Sequence, residues 1–504
     1  EKERIARALV TMNYIRDEEL FRQDDPWAAY YILCDGELSF VQDGQEVSKI
    51  AADPTSTIVH CFGASELLER VSHASSARVV SDSASVLTLD REAFLALLAP
   101  ILEPSGEAGE ALQTSLVSQE RREGMDSEPI QRGRIFRKDL EQLGLLGCGG
   151  FGSVVLCRHR PSDETFALKR VSKGFIVETN MKESIMNEKN ILMMTSSSFI
   201  VRLHECYNGA QSVYFLLDAA LGGELYATYK REGLDGSEEH ARYYSASVAF
   251  ALEHLHVRHV IYRDLKPENL LLTGTGHLKL TDMGLAKFVV GKTFTCCGTP
   301  DYFAPELITH AGHTRAVDWW TFGVLIFELM AGYPPFESAH GPMSIYRKVI
   351  EGFSQVPPPA DFEGALMELV ESLLQQDPRD RLPMQLGGIE NIKRHHWFFG
   401  FDWEALQALQ LQPPYKPTVV GSADLGNFGD CGMLPTRLNY VDDGSAWDRE
   451  FATVEEPDIP GSEAPSEDEW DSEEGRSAYT SDPYSQSGSG ARSELGSMRP
   501  SGCE

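Results

Sequence analysis

Residues 262–269 combine two carboxylates, two cations and a carboxamide within eight positions. The stretch lies between apolar residues on both sides, which indicates a loop between two buried elements with its polar groups turned toward one cleft. Asp264 can accept a proton from a hydroxyl group, and Lys266 can contact a phosphoryl oxygen. Asn269 can offer its carbonyl oxygen to a hard cation. Such a loop is usually only polar surface, so the chemical interpretation depends on matching parts elsewhere in the chain.

A glycine-rich stretch, 146–154, has the pattern G-x-G-x-x-G-x-V with Gly147, Gly149 and Gly152. Glycines let the backbone approach phosphates closely and offer amide hydrogens to them. The pattern alone is a weak signal, because many hairpins carry several glycines. No helix-like pattern follows it, which disfavours a dinucleotide site.

A lysine and an acid follow the glycine-rich stretch in the order that a phosphate site requires. Lys169 ends the strand-like stretch 166–169, and an inward-facing lysine needs anions to offset the cost of its burial. Glu188 lies in the helical run 181–194 and is the expected partner, together with bound phosphates.

A second oxygen ligand for a cation is expected at Asp282, which follows the apolar strand 278–280. A carboxylate and a carboxamide, completed by substrate phosphates, are typical of protein sites for Mg²⁺. An isolated Asp-x-Gly is usually a turn, so Asp282 indicates a metal site only in combination with Asn269.

The composition limits the function classes. The length of 504 residues favours roughly two or three domains. Hydrophobic residues make up 42% of the chain, and no run approaches the roughly 20 apolar residues of a membrane span. The formal net charge of −31 argues against nucleic acid as a partner. Nine cysteines without a Cys-x-x-Cys pattern favour a reducing compartment, so a cytoplasmic location is expected.

Taken together, the motifs across 139–398 resemble the protein kinase family. The resemblance implies ATP and Mg²⁺ as cofactors, Asp264 as catalytic base with Lys266 and Asn269 beside it, and Asn269 with Asp282 as metal ligands. Met283 stands where the family usually has Phe, and a flexible apolar side chain can fill the same space. The implied ATP-binding residues are Leu146, Gly147, Gly149, Gly152, Val154, Ala167, Lys169, Glu188, Asp218, Ala220 and Leu271.

Further motifs resemble the AGC branch of that family. Thr295 stands where AGC kinases are phosphorylated, and Arg263 and Lys287 are the cations expected to pair with that phosphate. Glu306 and Arg381 match a structural ion pair of the family.

Substrate preference is also implied by matched positions. Glu224, Glu268 and Glu328 fall where Arg-directed members of the family line the peptide groove. Three carboxylates there would favour basic substrates with arginines before the acceptor Ser or Thr.

The N-terminal part has a strand-rich pattern. Short strands are expected at 30–33, 38–41 and 86–89, with a hairpin signal at 43–44 and a helix near 94–101. The segment resembles a cyclic-nucleotide-binding domain through the following residues: Arg22-Gln23-Asp24-Asp25-Pro26, Tyr31-Ile32-Leu33, Gly36, Phe62-Gly63, Ala77 and Leu89-Asp90-Arg91. Such a domain directly before an AGC-like kinase is similar to the arrangement in cGMP-dependent protein kinases.

The phosphate cassette of this domain departs from the family pattern. Ala64 replaces the glutamate that bonds a ribose hydroxyl, and Ser75 replaces the arginine that meets the cyclic phosphate. Glu66 and Arg78 have the wrong spacing to substitute. We therefore expect weak or no cyclic-nucleotide binding here, with cGMP acting as allosteric effector through domains upstream of Glu1.

The linker holds a second regulatory candidate at 121–125. Two arginines precede Gly124, which stands where a substrate would carry its acceptor hydroxyl, and the stretch resembles an inhibitory substrate mimic. An ordinary charged linker is the alternative.

The expected fold is multidomain α+β: a β-roll cyclic-nucleotide-binding-like domain followed by a bilobal protein kinase fold and a disordered acidic C-terminal tail. The expected segments are 1–103 for the regulatory domain, 104–138 for a linker, 139–398 for the kinase domain, 399–451 for an AGC-type tail and 452–504 for the acidic tail.

The expected function is a cGMP-dependent-type serine/threonine kinase acting on basic proteins, without a transmembrane segment. Another AGC kinase, such as a cAMP-dependent-like unit with a non-binding regulatory domain, and a non-catalytic scaffold are the alternatives.

Overall fold

The computed structural model describes residues 9–25, 29–52, 60–63, 67, 72–90, 94, 134–149, 152–357, 359, 362–429, 438–442 and 444–454. Several predictions fall on other residues: most of the helix at 94–101, most of the linker with its stretch 121–125, the positions Ala64 and Glu66, and the acidic tail beyond 454. The division of the chain into five segments stays a prediction.

The N-terminal strands form one seven-stranded antiparallel arrangement with the order β1-β7-β3-β6-β2, and β4 and β5 also pair with β3. The strands are β1 (Val10–Ile15), β2 (Glu19–Phe21), β3 (Ala29–Gln42), β4 (Gln45–Ala52), β5 (His60–Phe62), β6 (Ser76–Val79) and β7 (Ser83–Asp90). Alternate residues of β3, such as Tyr31 and Leu33, are buried in a core of their own.

Two of the expected strands, 30–33 and 38–41, belong to the single strand β3. The pairing with β7 shifts register between Leu33 and Asp35, and β3 continues through this bulge to pair with β6. The hairpin signal is confirmed, because Asp43 and Gly44 connect β3 to β4 with φ of 50° and 79°.

The next unit begins with a five-stranded antiparallel sheet of order β11-β12-β10-β9-β8. Its strands are β8 (Leu140–Gly149), β9 (Gly152–His159), β10 (Glu164–Ser172), β11 (Leu203–Asn208) and β12 (Ser212–Asp218). Two helices, α1 (Lys173–Glu178) and α2 (Lys182–Met194), lie between β10 and β11. The predicted helix at 181–194 is confirmed by α2.

A helical part follows, built around α4 and α6, whose residues are mostly buried. Its helices are α3 (Leu225–Glu232), α4 (Glu238–His256), α5 (Pro305–Ile308), α6 (Ala316–Ala331), α7 (Pro342–Glu351), α8 (Ala365–Leu373), α9 (Glu390–Lys393) and α10 (Trp403–Gln407). The helical part also contains five short strands: β13 (Gly223–Glu224), β14 (Val260–Ile261), β15 (Leu270–Leu272), β16 (Leu278–Leu280) and β17 (Lys287–Phe288). The expectation of a sheet-rich lobe followed by a helical part is confirmed.

The segment after α10 returns to the five-stranded sheet. Phe451 is fully buried and meets the ring of Phe215 edge-on at 5.2 Å between centroids. The Asn427 amide donates to the carbonyl of Leu221 at 3.0 Å. In the parts of the chain that are described, no helix is both long and apolar enough to cross a membrane.

Candidate active site

Asp264 lies at the centre of a hydrogen-bonded group between β14 and β15. Its Oδ2 accepts from the ammonium of Lys266 at 2.8 Å and from the amide of Asn269 at 2.9 Å. Its Oδ1 accepts from the hydroxyl of Thr299 at 3.1 Å. The carboxylate is therefore held in one orientation, with a hydroxyl already at the oxygen where an acceptor hydroxyl would bind.

The backbone on either side of Asp264 is held by a buried carboxylate on α6. Asp318 is fully buried and accepts from the backbone N–H groups of Tyr262 at 2.9 Å and Arg263 at 2.8 Å. Arg263 has a positive φ of 70°, which costs energy for a residue other than glycine. Asp318 stabilises this backbone, so the catalytic loop keeps its shape.

Lys169 and Glu188 form the ion pair that the sequence suggests. The ammonium lies 2.7 Å from Glu188 Oε1 and 3.5 Å from Asp282 Oδ1. Burial alone would lower the pKa of Lys169, but the two carboxylates outweigh it and raise the pKa above its usual range. The same ammonium is the main cause that lowers the pKa of Asp282. Lys169 is thus a permanent cation that links α2 to Asp282. Asp282 begins the segment 282–306, which we call the activation segment.

Glycines bring the hairpin β8–β9 close to neighbouring backbone. Gly149 pairs directly with Gly152, and a side chain at Gly152 would lie 1.8 Å from the carbonyl oxygen of Arg170. Gly147 pairs with Val154, and among the residues that the structure describes none lies within 4 Å of the Cβ position at Gly147 or Gly149. The hairpin can therefore bring its amides next to a ligand without side chains in between.

Further residues of the expected ATP site lie on the β8–β9 hairpin, on β10, between β12 and β13, and on β15. Ala167 is buried on β10, and Leu146 and Val154 pack against the main core from the hairpin above. Ala220 is buried in the connection to β13, while Leu271 on β15 is half-buried below.

Asp218 belongs to the same expected site, but its carboxylate faces other partners. It pairs with His204 and with Lys279, each at 2.8 Å. Burial would raise the pKa of Asp218, but these two partners outweigh it and hold the pKa well below its usual range. Its backbone N–H donates to the carbonyl of Arg202 at 3.0 Å, so the carboxylate and the N–H of Asp218 are both engaged within the protein.

Comparison with known proteins gives the family. A protein kinase domain matches residues 140–398, just over half of the chain. The chain is 36% identical over 439 residues to the cGMP-dependent protein kinase egl-4 of Caenorhabditis elegans, covering 86% of this chain and 56% of that protein. It is 34% identical over 459 residues to the cGMP-dependent protein kinase, isozyme 1, of Drosophila melanogaster, covering 89% of this chain and 59% of that protein. The human cAMP-dependent protein kinase catalytic subunit PRKX is 40% identical over 291 residues, which is 58% of this chain and 80% of that protein.

The chain belongs to the protein kinase family. The resemblance to cGMP-dependent protein kinases is confirmed by these relatives. The kinase spans somewhat more than half of the length of the two cGMP-dependent relatives named above.

The protein kinase domain implies ATP and a divalent metal, and the residues present fit both. Within the described ranges, no group of three or more His, Cys, Asp or Glu side chains is placed to hold a metal ion. Asn269 and Asp282 supply oxygen donors of the kind that Mg²⁺ prefers, so phosphate oxygens of a nucleotide must complete the set. The Asn269 amide nitrogen donates both of its hydrogen bonds to Asp264. The Oδ1 of Asn269 is therefore turned away from Asp264. A bound metal would neutralise charge that develops on the transferred phosphoryl group.

Met283 fills the apolar position after Asp282, as expected from its flexibility. It is fully buried within the main core of the kinase. The neighbouring Asp282 has a positive φ of 59°, and its Oδ1 accepts from the N–H of Gly284 at 3.2 Å.

Glu306 and Arg381 form a buried, two-pronged ion pair. The guanidinium lies 2.6 Å from Oε1 and 2.7 Å from Oε2 of Glu306, and it also donates to the carbonyl of Ala316 at 2.7 Å. Arg381 is fully buried. This pair ties the end of the activation segment to the base of the helical part.

The three acids expected in the peptide groove act on one another. Burial, followed by the charge of Glu268, raises the pKa of Glu224. Burial and the charge of Glu268 also raise the pKa of Glu328, although the Tyr302 hydroxyl donates to that carboxylate. The three carboxylates therefore share one negative field, which suits a multiply positive ligand.

The expected phosphorylation site, Thr295, is exposed and its hydroxyl donates to Glu18 at 2.8 Å. Lys287 donates to the same oxygen of Glu18 at 2.7 Å. Arg263 donates its Nε–H to the carbonyl of Leu285 at 2.7 Å. The structure thus brings Lys287 and Thr295 together through a carboxylate from the N-terminal sheet.

Sequence reasoning missed two of these participants. Thr299 lies four positions after Thr295, and its place next to Pro300 before a short helical turn was the available signal. Glu18 had no signal, because its contacts are made with residues more than 260 positions away.

Proposed function

We propose that this chain transfers the γ-phosphate of ATP to Ser or Thr residues of basic proteins, as a kinase of the cGMP-dependent type. The observation that carries the proposal is the convergence of Asp264, Lys266 and Asn269 in one hydrogen-bonded group, close to Asp282 and its partner Lys169. A non-catalytic scaffold would have no need for this arrangement.

The proposed roles follow from the contacts. Asp264 would accept the proton of the substrate hydroxyl, whose oxygen forms the new bond to phosphorus as the bond to the β-phosphate oxygen breaks. Lys266 would offset charge on the transferred group, and Lys169 would hold the phosphates under the glycine hairpin. Asn269 and Asp282 would hold the metal.

The proposed substrates carry arginines because of the three acids beside the cleft. Guanidinium groups pair with carboxylates through two parallel hydrogen bonds, so Glu224, Glu268 and Glu328 favour Arg over Lys. Thr295 is the proposed site of activating phosphorylation, with Arg263 and Lys287 as its cations.

For the N-terminal sheet we propose the β-roll of a cyclic-nucleotide-binding domain, with weak or no affinity for cGMP. The sheet order and the motifs quoted above support the fold. Ser75 supports the loss of binding, since a serine cannot replace the charge of an arginine on a cyclic phosphate. Regulation by cGMP would then depend on further domains, and a cytoplasmic location stays a prediction.

A cAMP-dependent-type kinase is the second candidate. It is favoured by the human relative PRKX, which is named a cAMP-dependent protein kinase catalytic subunit and matches 58% of this chain.

The test is transfer of radiolabelled phosphate from ATP to an Arg-Arg-x-Ser peptide by the whole chain. The assay is run with ATP alone, with added cGMP and with added cAMP. The matched controls are an Arg-Arg-x-Ala peptide and the Asp264→Asn variant, for which we expect a loss of at least about 100-fold in kcat, the lower end of general-base contributions. Equal transfer by wild type and Asp264→Asn would contradict the proposal.

Calorimetric titration of the whole chain tests the second part. We expect no saturable heat with cGMP or cAMP at micromolar concentration. Saturable heat with either nucleotide would contradict the proposed loss of binding; in that case, stimulation of transfer by only one of the two would favour the candidate named after it.

A further inference from the structure

Glu18 lies in the turn between β1 and β2 and reaches the activation segment of the kinase. Its Oε1 accepts from Lys287 Nζ at 2.7 Å and from Thr295 Oγ1 at 2.8 Å. Its Oε2 accepts from the N–H of Ile15 at 3.0 Å, so its own turn fixes the orientation of the carboxylate. Glu18 thus presents one oxygen to two groups of the kinase.

Four further contacts continue this interface on both sides of Thr295. Asp25 pairs with Lys292 at 2.7 Å. Arg22 donates to the carbonyl of His310 at 2.7 Å, and its guanidinium lies 4.0 Å from the ring centroid of Phe294. Val290 of the kinase is buried in the core of the N-terminal sheet. The activation segment is therefore held by charge pairs around an apolar contact.

The carboxylate of Glu18 competes with a phosphate for the same cations. Burial would raise the pKa of Glu18, but Lys287 outweighs it and lowers the pKa, so Glu18 is charged at neutral pH. The positive charge of Lys287 is therefore already paired with this carboxylate in the unmodified chain. The buried Nη1 of Arg263 has no hydrogen-bond partner among the residues that the structure describes.

Phosphorylation of Thr295 replaces its attractive hydrogen bond to Glu18 by repulsion between two negative charges. The hydroxyl proton that Glu18 accepts is lost when the Oγ1–P bond forms, and the new group brings a charge of about −1.5 to −2. Two anions would then lie at hydrogen-bond distance. Glu183 on α2 adds to the negative field, since burial and the charge of Glu18 raise its pKa.

We propose that docking of the N-terminal sheet and phosphorylation of Thr295 exclude one another. Glu18 holds Lys287 in the unmodified chain; a phosphate on Thr295 takes over Lys287 and Arg263 and expels Glu18. This inference rests on the proposed function, in which Thr295 is the residue that becomes phosphorylated. Because coupling is reciprocal, docking weakens the phosphate's pairing by the same factor, roughly 5- to 150-fold for typical allosteric coupling.

Hydrogen exchange of the whole chain tests the proposal without using its catalytic activity. Phosphothreonine is introduced at 295 during translation, and amide exchange is compared at 14–25 and 286–296. We expect at least roughly fivefold faster exchange at 14–25 in the phosphorylated chain, whereas 286–296 keeps its protection because the phosphate pairs with Lys287 and Arg263. Glu18→Lys should give the same acceleration. The control is Glu37→Gln, because Glu37 pairs with Lys49 of the same sheet at 2.7 Å, and it should leave both segments unchanged.

A folding defect in the N-terminal sheet is separated by a variant of the kinase part. Lys287→Met must also accelerate exchange at 14–25, and Glu18→Lys combined with Lys287→Glu must restore protection. Unchanged exchange on phosphorylation, or absence of that rescue, would overturn the proposal. If phosphorylation changes exchange but no form transfers phosphate to the peptide, the proposed function fails and the docking inference stands. If transfer is normal and exchange is unaffected, only the inference fails.

Discussion

The hydroxyl of Thr299 donates to Oδ1 of Asp264 at 3.1 Å and itself accepts from Lys266 at 3.2 Å. A threonine from the activation segment therefore completes the hydrogen bonding of the catalytic loop. The active site is assembled only when the activation segment lies against the loop that carries Asp264.

Thr299→Ala should lower kcat for peptide phosphorylation about 10-fold, because a hydrogen bond to a charged group contributes about 1.5–3 kcal/mol and Lys266 partly compensates. KM for ATP should change little, since Thr299 contacts neither Lys169 nor Asp282. Steady-state kinetics check both values. Thr299→Ser keeps the hydroxyl and should retain most of the activity; an equal loss in Ser and Ala variants would contradict this role.

Lys169→Met should make the stability of the kinase depend on pH. In the wild type burial already raises the pKa of Glu188, although Lys169 lies 2.7 Å away. Without the ammonium, the folded-state pKa of Glu188 must rise further above its unfolded value near 4.5. A raised carboxyl pKa gives stability that is present below the unfolded value and lost as pH rises through the folded value. The melting temperature of the variant should therefore lie furthest below wild type at neutral pH and approach it near about pH 5.

The control for that measurement is Lys49→Met. Lys49 and Glu37 form an ion pair whose side chains are 48% and 44% exposed, so its removal should have little effect at any pH. A constant difference between Lys169→Met and wild type across the pH range would show that Glu188 is not the group responsible.

The catalytic loop could be predicted from sequence because its parts are local. Asp264, Lys266 and Asn269 lie within six positions, so the backbone of one loop brings them together once its ends are fixed by apolar strands. The pair of Lys169 and Glu188 is separated by only 19 positions, with the short helix α1 between the strand and the helix that carry them. In each case the residue types indicate the chemistry, and the short connections between the residues limit the distances between their side chains.

The contact of Glu18 with Lys287 could not be predicted in this way. The two residues are 269 positions apart, and Glu18 is one of 76 acidic residues. Their approach depends on how two separately folded sheets pack. The carboxylate of Asp218 is a smaller example, since its partners His204 and Lys279 come from different strands, and only the fold shows that it faces away from the nucleotide site.

Arg381→Met should destabilise the kinase by about 3–5 kcal/mol, because it leaves the carboxylate of Glu306 buried and uncompensated. Arg381 is 0% exposed and Glu306 5% exposed as side chains. Urea unfolding followed by fluorescence checks the value.

Two residues earlier, Arg379 provides a matched control for that measurement. Its side chain is 87% exposed and pairs with Asp377 at 2.6 Å, so Arg379→Met should leave the free energy of unfolding almost unchanged. Equal losses for the two variants would show that burial of the pair does not decide its effect.

The affinity for arginine-containing peptides should fall in mild acid because of Glu224 and Glu328. The pKa of each is raised above the ordinary 4.5 by burial first and by the charge of Glu268 as a further cause. As pH falls through these raised values the carboxylates lose charge, and a guanidinium loses its partner. As pH falls below neutral, KM for an Arg-Arg-x-Ser peptide should therefore rise more steeply than KM for the same peptide with norleucine in place of arginine. Glu224→Gln combined with Glu328→Gln should raise KM at neutral pH and flatten the profile. Parallel profiles for the two peptides in the wild type would mean that these acids do not bind the arginines.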